Sequence, residues 1–317
     1  MFSFTRMIVS VSAALALASV NSVLAAPTNL EARAAKVPSP AFVIYTDKFV
    51  SADVLPPVDK VKGYNVVALS FLTLKGPQDQ AGAYAKLPAA KKTSLKAAYE
   101  KAGIKLIVSA FGETDTPTTS KADPVGTGNT MAKFVKDQKL DGIDVDYEDL
   151  AAMNKGDGAA EKWVTTFTQT LRKTLPKGQF ILTHAPLAPW LSHNKQFAAG
   201  AYLTINKNVG AEIDWYNIQF YNQGLYTNCE GLLTKSGGAF PGSSVFEIQK
   251  NGVDLKKLVI GKPGSAADAT NGFMPAATLA TCVKQAKAKG WNAGLMVFEF
   301  PDADAAFIKT AKGSAFH

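Results

Sequence analysis

The sequence predicts a single-domain α/β protein with the (β/α)8 architecture, the TIM barrel. Short apolar runs recur eight times, stretches of helical periodicity separate several of them, and about 280 residues remain after an amino-terminal export segment. A doubly wound open sheet is the alternative. Such a sheet usually has a glycine-rich first turn that binds a nucleotide, and no such turn follows the first apolar run, Ala41–Tyr45.

The predicted strands are short runs rich in β-branched and aromatic residues. They are Ala41–Tyr45, Asn65–Leu72, Ile104–Ala110, Gly142–Tyr147, Gln179–His184, Ile213–Tyr221, Leu258–Lys262 and Ala293–Glu299. Between several of them, apolar residues recur at the spacing that lines one face of a helix. The clearest examples are Leu95 and Tyr99 before a stop at Gly103, the series Trp163, Phe167 and Leu171, and the series Leu279, Val283 and Ala286.

Residues 1–25 are predicted to be a signal peptide. Arg6 supplies the positive charge, Met7–Val20 the apolar run, and Ala25 the small residue of a cleavage site. The run is shorter than the roughly 20 residues that cross a membrane, so a signal anchor is the weaker alternative and no membrane span is expected. Residues 26–40 are predicted to be a loose leader or propeptide, and residues 41–317 the barrel domain. We therefore expect a secreted, extracellular protein.

The chain carries a formal net charge of +8 at pH 7, and its lysines fall mostly at predicted helix positions such as Lys91, Lys92 and Lys96. No basic stripe is interleaved with aromatic residues, so nucleic acid is not an expected partner. The charge is better interpreted as a solvated face, which would also favour acidic cell-wall polymers. No feature indicates a cofactor, and a monomer is expected.

The two cysteines, Cys229 and Cys282, are predicted to form a disulfide because the protein is expected to be exported. Two free thiols are the alternative. The three histidines, His184, His193 and His317, are scattered and lack the spacing of a zinc site. No metal site of that kind is predicted.

The predicted fourth strand contains a run of carboxylates between Asp141 and Glu148. Because side chains alternate along a strand, Asp144, Asp146 and Glu148 share one face, and the residues between them are apolar enough to pack under helices. The acids are expected to line the barrel near its C-terminal mouth, where barrel enzymes have their active sites. Mutual repulsion should raise the pKa of at least one of them. A Mg²⁺ or Ca²⁺ site and simple solvation are the alternatives.

Asp141 to Glu148 contain the complete pattern DxxDxDxE, and on this motif the chain resembles glycoside hydrolase family 18, the chitinases and endo-β-N-acetylglucosaminidases. Leu182–Pro186 is similar to the LTxAP pattern on the family's fifth strand. Ile213–Asn222 is similar to its sixth strand, which ends in QxYN, and Tyr45 ends the first strand as a family tyrosine often does. The resemblance covers about residues 41–310 and implies that the barrel is a catalytic domain.

The resemblance implies a retaining, substrate-assisted mechanism that is an exception to the usual pair of nucleophile and acid. Glu148 would protonate the leaving oxygen and then act as a base towards water. The substrate's own 2-acetamido carbonyl would be the nucleophile. Asp146 would hold the acetamide N–H, Asp144 would share a proton with Asp146, and Tyr221 would donate its hydroxyl to the acetamide oxygen.

Further residues are candidates for binding a glycan that contains N-acetylglucosamine. They are Asp141, Tyr45, Gln219, Asn222, Trp190, Phe298 and Glu299. Gln219 and Tyr221 share a strand face by alternation, although a tyrosine at a barrel mouth can also serve only for packing. Trp190 follows a proline-rich loop and is either a sugar-stacking surface or a packed side chain.

Two departures from the family pattern bear on the substrate. The SxGG pattern of the third strand is Ser109-Ala110-Phe111-Gly112 here, and Phe298 occupies the position where chitinases usually have the tryptophan floor of the sugar site. Both forms, together with Glu299, resemble endo-β-N-acetylglucosaminidases. Only Trp190, Tyr226 and Phe298 are expected at the rim or floor, few for gripping crystalline chitin. We expect cleavage of the di-N-acetylchitobiose core of N-linked glycans, with chitin or chitooligosaccharides as the alternative. An inactive sugar-binding barrel is less favoured because Asp146 and Glu148 are both present.

Overall fold

Eight parallel strands close into a barrel in the computed structural model, which describes Met1 and residues 37–48 and 54–316. The strands are β1 (Ala41–Thr46), β2 (Val66–Thr73), β3 (Gly76–Pro77), β4 (Lys105–Gly112), β5 (Gly142–Tyr147), β6 (Ile181–His184), β7 (Trp215–Gln219), β8 (Leu258–Pro263) and β9 (Gly294–Phe298). β1 pairs with both β2 and β9, which closes the ring, whereas β3 is a short antiparallel extension of β2. The predicted fold is confirmed.

Helices surround the barrel and fill the connections between its strands. They are α1 (Asp79–Ala85), α2 (Ala89–Lys101), α3 (Pro124–Asp137), α4 (Leu150–Lys155), α5 (Ala159–Thr174), α6 (Ala201–Val209), α7 (Cys229–Leu233), α8 (Val245–Lys250), α9 (Ala276–Ala288) and α10 (Ala305–Lys312), with 3₁₀ turns at Ala188–Leu191, Leu255–Lys257 and Ala266–Asp268. Because helices cover the outer face and side chains fill the inside, every residue of β1, β5, β6, β7 and β8 is buried.

The sequence located the elements better than it located their ends. All eight predicted barrel strands are present, but β6 and β7 each begin two residues later than predicted, at Ile181 and Trp215. The three predicted helical series lie in α2, α5 and α9, and α2 ends just before Gly103, whose φ is +75°. The pairing of β3 with β2 was not predicted, because two residues carry no periodic signal.

The predicted disulfide is confirmed. Cys229 at the start of α7 is bonded to Cys282 in α9, with an Sγ–Sγ distance of 2.03 Å. The bond joins the connection after β7 to the helix that follows β8, across 53 residues of sequence. It therefore fastens two neighbouring connections on one side of the barrel.

Residues 2–25 of the predicted signal peptide and residues 26–36 of the predicted leader lie outside the described residues. The last four leader residues are described and contact the barrel: Val37 packs against the core, and Asn65 Nδ2 donates to the Pro40 carbonyl at 2.9 Å. Among the residues that the structure describes, no helix is both long enough and apolar enough to cross a membrane.

Candidate active site

The carboxylates of β5 lie on its inner face, as strand alternation predicted. Asp144 and Asp146 point into the barrel, and Glu148 follows directly after the last strand residue, Tyr147. Tyr147 points outwards, and its ring lies 6.1 Å from that of Trp163 on α5. The outward side chains anchor the strand to the helical layer, so the inward carboxylates have a fixed direction.

Asp144 is fully buried and held by four neutral donors. Its Oδ2 accepts hydrogen bonds from Tyr45 Oη at 2.7 Å and Ser109 Oγ at 2.8 Å. Its Oδ1 accepts hydrogen bonds from Thr183 Oγ1 at 2.5 Å and Asn217 Nδ2 at 3.0 Å. Burial raises the pKa of Asp144, and these hydrogen bonds partly offset the rise. The four donors come from four other strands, so Asp144 ties the inside of the barrel together.

The carboxyl groups of Asp146 and Glu148 share one hydrogen-bond donor beyond Asp144. Gln219 Nε2 bridges them, donating to Asp146 Oδ1 at 3.0 Å and to Glu148 Oε1 at 3.1 Å. Burial raises the pKa of Asp146 well above its ordinary value, and the neighbouring charges of Glu148 and Asp144 add to the rise. Burial also raises the pKa of Glu148. Two buried carboxyl groups that repel each other in this way favour a state in which one of them keeps its proton.

Two phenols lie beside the carboxylates. Tyr45 and Tyr221 are 2% and 6% exposed, and burial together with the charges of Asp144 and Asp146 raises the pKa of both well above the ordinary value. Both therefore remain protonated and can donate a hydrogen bond. The half-buried ring of Phe298 lies 6.2 Å from the ring of Tyr45, which places it at the same end of the barrel.

The residues on either side of Glu148 fasten it to the connection between β4 and α3. Tyr147 Oη donates to Thr118 Oγ1 at 2.9 Å. The Asp149 carboxylate accepts hydrogen bonds from Thr119 N at 2.6 Å and from Thr119 Oγ1 at 2.5 Å. Glu148 is therefore held from both neighbours, although it lies beyond the end of the strand.

Two predicted substrate-binding residues lie away from the carboxylates. Asp141 is at the opposite end of β5, where it accepts the Leu106 amide at 2.8 Å and pairs with Lys96, so it cannot reach a ligand beside Glu148. Trp190 is 1% exposed and stacks on Tyr202, so its packing interpretation is the correct one.

Glu299 and Tyr226 also differ from the prediction. The Glu299 carboxylate, 4% exposed, accepts the amides of Asp47 and Lys48 at 3.0 Å each, and thus holds the connection after β1 instead of facing a ligand. Tyr226 is 1% exposed, with its hydroxyl hydrogen-bonded to Ser243, so it is not a rim residue. Asn222 is exposed at the mouth, and its role stays a prediction.

Asn217, Ser109 and Thr183 were not among the predicted site residues. Asn217 lies two residues before Gln219, so strand alternation already places the two on one face. Ser109 and Thr183 are the register partners of Asp144 on the two neighbouring strands. Their polar character at barrel positions that are otherwise apolar was the available signal.

Within residues 37–48 and 54–316, no group of three or more His, Cys, Asp or Glu residues is arranged to hold a metal ion. The groups that surround Asp144 are hydroxyls and a carboxamide that donate hydrogen bonds to it. The arrangement is suited to proton transfer and to stabilising a positive charge on a bound molecule.

The comparisons with known proteins agree with this geometry. Endochitinase 3 of Metarhizium anisopliae is 30% identical over 163 residues, which cover 51% of this chain and 47% of that protein. Endochitinase 3 of Metarhizium robertsii is 29% identical over 166 residues, 51% and 44% of the respective chains. The chain thus spans about half the length of the curated relatives it matches.

Solved structures match over most of the chain. A GH18 chitinase from Pseudoalteromonas aurantia has a TM-score of 0.71 at 26% identity, over 86% of this chain and 99% of that one. A fungal endo-beta-N-acetylglucosaminidase from glycosyl hydrolase family 18 has a TM-score of 0.62 at 17% identity, over 86% and 97% of the two chains, and supports the fold alone. The profile of "Glycosyl hydrolases family 18" matches residues 41–300, and the chain belongs to this family.

Proposed function

We propose that this protein hydrolyses the β-1,4 bond that follows an N-acetylglucosamine residue, with retention of configuration and with the substrate's acetamide as the nucleophile. The observation that carries the proposal is that Gln219 bridges the carboxyl groups of Asp146 and Glu148 on the inner face of β5. One group of the pair can donate a proton while the other remains to balance a positive charge.

The first step breaks the glycosidic bond. Glu148 gives its proton to the leaving oxygen as the bond from that oxygen to the anomeric carbon breaks. The carbonyl oxygen of the 2-acetamido group attacks the anomeric carbon from the opposite face and forms an oxazolinium ion. Asp146 accepts a hydrogen bond from the acetamide N–H and balances the positive charge, and Tyr221 donates its hydroxyl to the acetamide oxygen.

The second step restores the enzyme. The Glu148 carboxylate takes a proton from a water molecule, whose oxygen attacks the anomeric carbon and reopens the oxazolinium ring. Two inversions at one carbon give net retention. Asp144, fixed by its four donors, takes the proton of Asp146 in the first step as the positive charge develops, and returns it in the second step when the ring reopens.

The identity of the nucleophile can be tested with substrates whose acetamide carbonyl is less nucleophilic. On aryl chitobiosides whose terminal amide is acetyl, fluoroacetyl or trifluoroacetyl, we expect kcat/KM to fall steeply along the series, because each fluorine withdraws electron density from the attacking carbonyl. A flat series would overturn the proposal. The first product detected by NMR should be the β-anomer. A thiazoline analogue of the intermediate should bind far more tightly than N-acetylglucosamine.

Activity should survive chelation. The donors around the carboxylates are protein side chains, so we expect kcat after dialysis against EDTA to match that of the untreated protein. Loss of activity that returns on addition of Mg²⁺ or Ca²⁺ would support the divalent-cation alternative.

For the substrate, we propose the di-N-acetylchitobiose core of N-linked glycans. Phe298 offers a smaller stacking surface than the tryptophan of chitinases. Moreover, the exposed large apolar side chains among the described residues are Met1, Leu74, Val125 and Leu150, none of them aromatic. A crystalline polymer is usually gripped by a row of exposed aromatic residues.

Chitin or chitooligosaccharides are the second candidate, favoured by the sequence matches to endochitinases. The two are separated by offering a high-mannose glycoprotein and colloidal chitin under the same conditions. We expect release of intact glycans to be faster than release of chitobiose, and the reverse ranking would identify a chitinase.

We further propose that the protein is secreted. The predicted signal peptide and the bond between Cys229 and Cys282 support this, since disulfides persist in oxidising compartments. Mass spectrometry of the protein from culture medium, with and without reduction, would test both features.

A further inference from the structure

Tyr221 lies in a tight connection and not in a strand. β7 ends at Gln219, and the chain then turns through residues 220–226, with positive φ values at Asn222 (67°) and Tyr226 (61°). Phe220 N still donates to the Gly261 carbonyl of β8 at 3.2 Å, but within the described part of the chain the Tyr221 backbone itself belongs to no strand ladder. The position of its hydroxyl therefore depends on what holds this turn.

A buried lysine holds both ends of the turn. Lys262 on β8 is fully buried, and its Nζ donates to the carbonyls of Phe220 at 2.7 Å and Tyr226 at 3.0 Å. Burial lowers the pKa of this lysine to about 7, and no carboxylate offsets that effect in the described part of the chain. A buried, unpaired ammonium costs stability. The two hydrogen bonds of Lys262 in return fix the distance between Phe220, the residue before Tyr221, and Tyr226 at the end of the turn.

The connection after β8 clamps the same turn from the other side. Asn222 N donates to the Asn271 carbonyl at 3.1 Å, and Thr270 N donates to Asn222 Oδ1 at 2.8 Å. Gly272 has a φ of +94°, and a Cβ on it would lie 2.7 Å from Tyr221 Cα. This connection therefore packs directly on the Tyr221 backbone, and only glycine allows that approach.

We propose that Lys262 and the segment Thr270–Gly272 are positioning elements. They hold the Tyr221 backbone so that the Tyr221 hydroxyl lies where it can donate a hydrogen bond to the substrate's acetamide oxygen. The proposal rests on the proposed function, which gives Tyr221 that role. Lys262 is fully buried, and Gly272 packs on the Tyr221 backbone. Both act through the backbone on either side of Tyr221.

The test is a double-mutant cycle with Lys262→Met and Tyr221→Phe. Alone, Lys262→Met should lower kcat about tenfold or more, since small misplacements of a positioned group are costly. In the Tyr221→Phe background, Lys262→Met should change kcat by less than about twofold, because the group that it positions is gone. Independent, multiplicative effects on kcat would overturn the proposal.

Lys257→Met is the matched control. Lys257 lies at the other end of β8, where its Nζ also donates to two carbonyls, those of Gly210 at 2.6 Å and Ile213 at 2.7 Å. It should lower the melting temperature without changing kcat. If Lys257→Met and Lys262→Met lower kcat equally, the effect is general loosening and the proposal is wrong.

Gly272→Ala provides a second route if Lys262→Met does not fold. Its Cβ would push the Tyr221 backbone, so kcat should fall in the wild-type background and stay unchanged in the Tyr221→Phe background. An equal fall in both backgrounds would contradict the proposal. A failure of the proposed function is distinguishable, because Tyr221→Phe alone would then leave kcat unchanged.

Discussion

The two ends of the barrel use the same residue type in opposite ways. At the N-terminal end, Asp141 and Asp214 each accept the amide of the preceding strand, from Leu106 and Leu182 at 2.8 Å, and each has a cation partner. At the C-terminal end, Asp144 and Asp146 receive hydrogen bonds from neutral side chains.

The difference separates stability from chemistry. A carboxylate with a cation and a backbone donor is stabilised as an anion, and it fixes strand to strand. Carboxyl groups that are buried close together without a cation have raised pKa values, which costs stability but retains a proton for transfer. Substitutions at the two ends should therefore differ in which property they change.

The largest effect is expected from Glu148→Gln. The amide keeps the shape of the side chain but has no proton to donate, so kcat should fall by about a thousandfold or more, equivalent to about 4 kcal/mol of activation free energy. Turnover of an aryl chitobioside measures it. Glu161→Gln is the matched control, because Glu161 is buried in α5 and accepts the Ala201 amide at 2.9 Å, away from the site. Near-normal turnover by Glu148→Gln would refute its assignment as the acid.

At the other end, Arg172→Met should affect stability and not turnover. The Arg172 guanidinium donates to Asp214 at 3.0 Å, to the Glu212 carbonyl and to the Phe180 carbonyl at 2.8 Å. Removing it leaves a buried carboxylate without its cation, so the free energy of unfolding should fall by roughly 3 kcal/mol. Urea denaturation measures the loss. A tenfold fall in kcat without a loss of stability would contradict the division between the two ends.

Much of this comparison could be predicted from the sequence, because alternation along a strand is a local rule. The face shared by Asp144, Asp146 and Glu148 follows from their spacing alone, and the structure confirms it for the two aspartates. The end of the barrel at which each acid lies was harder to predict. Asp141 belongs to the same motif but lies at the opposite end of the barrel from Glu148, because it precedes the first residue of β5.

The rest depends on contacts that no local pattern encodes. Trp190 was an equal candidate for stacking or packing until the fold placed its ring parallel to that of Tyr202. The role of Glu299 depends on the course of the connection after β1, some 250 residues earlier in the chain. Lys262 gave no sign of its role, since an isolated lysine in an apolar run predicts nothing about which carbonyls it will reach.

A smaller effect is expected from Thr183→Val. The Thr183 hydroxyl donates to Asp144 at 2.5 Å, and its loss leaves a buried acceptor with one donor fewer. We expect the free energy of unfolding to fall by about 1 to 2 kcal/mol, and kcat to fall several-fold because the pKa of Asp144 rises and it returns the proton to Asp146 less readily. Thr170→Val is the control, since the buried Thr170 hydroxyl donates to the Thr166 carbonyl within its own helix. Equal kcat values for the two variants would show that Asp144 does not need this donor.

The smallest expected effect is a gain in stability from Asp146→Asn, and it changes with pH. Burial and the charges of Glu148 and Asp144 raise the pKa of Asp146 in the folded protein. A carboxyl with a raised folded pKa contributes its full stability below its unfolded pKa of about 3.9 and loses it as the pH rises through the folded pKa. The amide of the asparagine variant does not ionise, so the variant does not lose stability in this way as the pH rises. Its melting temperature should therefore exceed that of the wild type by a few degrees at pH 7.5, and the gap should close towards pH 4.

The same substitution at the other end should have the opposite sign. Asp214→Asn removes the ion pair with Arg172, so its melting temperature at pH 7.5 should lie below that of the wild type. Differential scanning calorimetry of the two asparagine variants at both pH values measures the contrast. If both variants lower the melting temperature at pH 7.5, the carboxyl group of Asp146 is stabilising where it lies. The proposal that the pair of Asp146 and Glu148 keeps a proton for transfer would then have no basis.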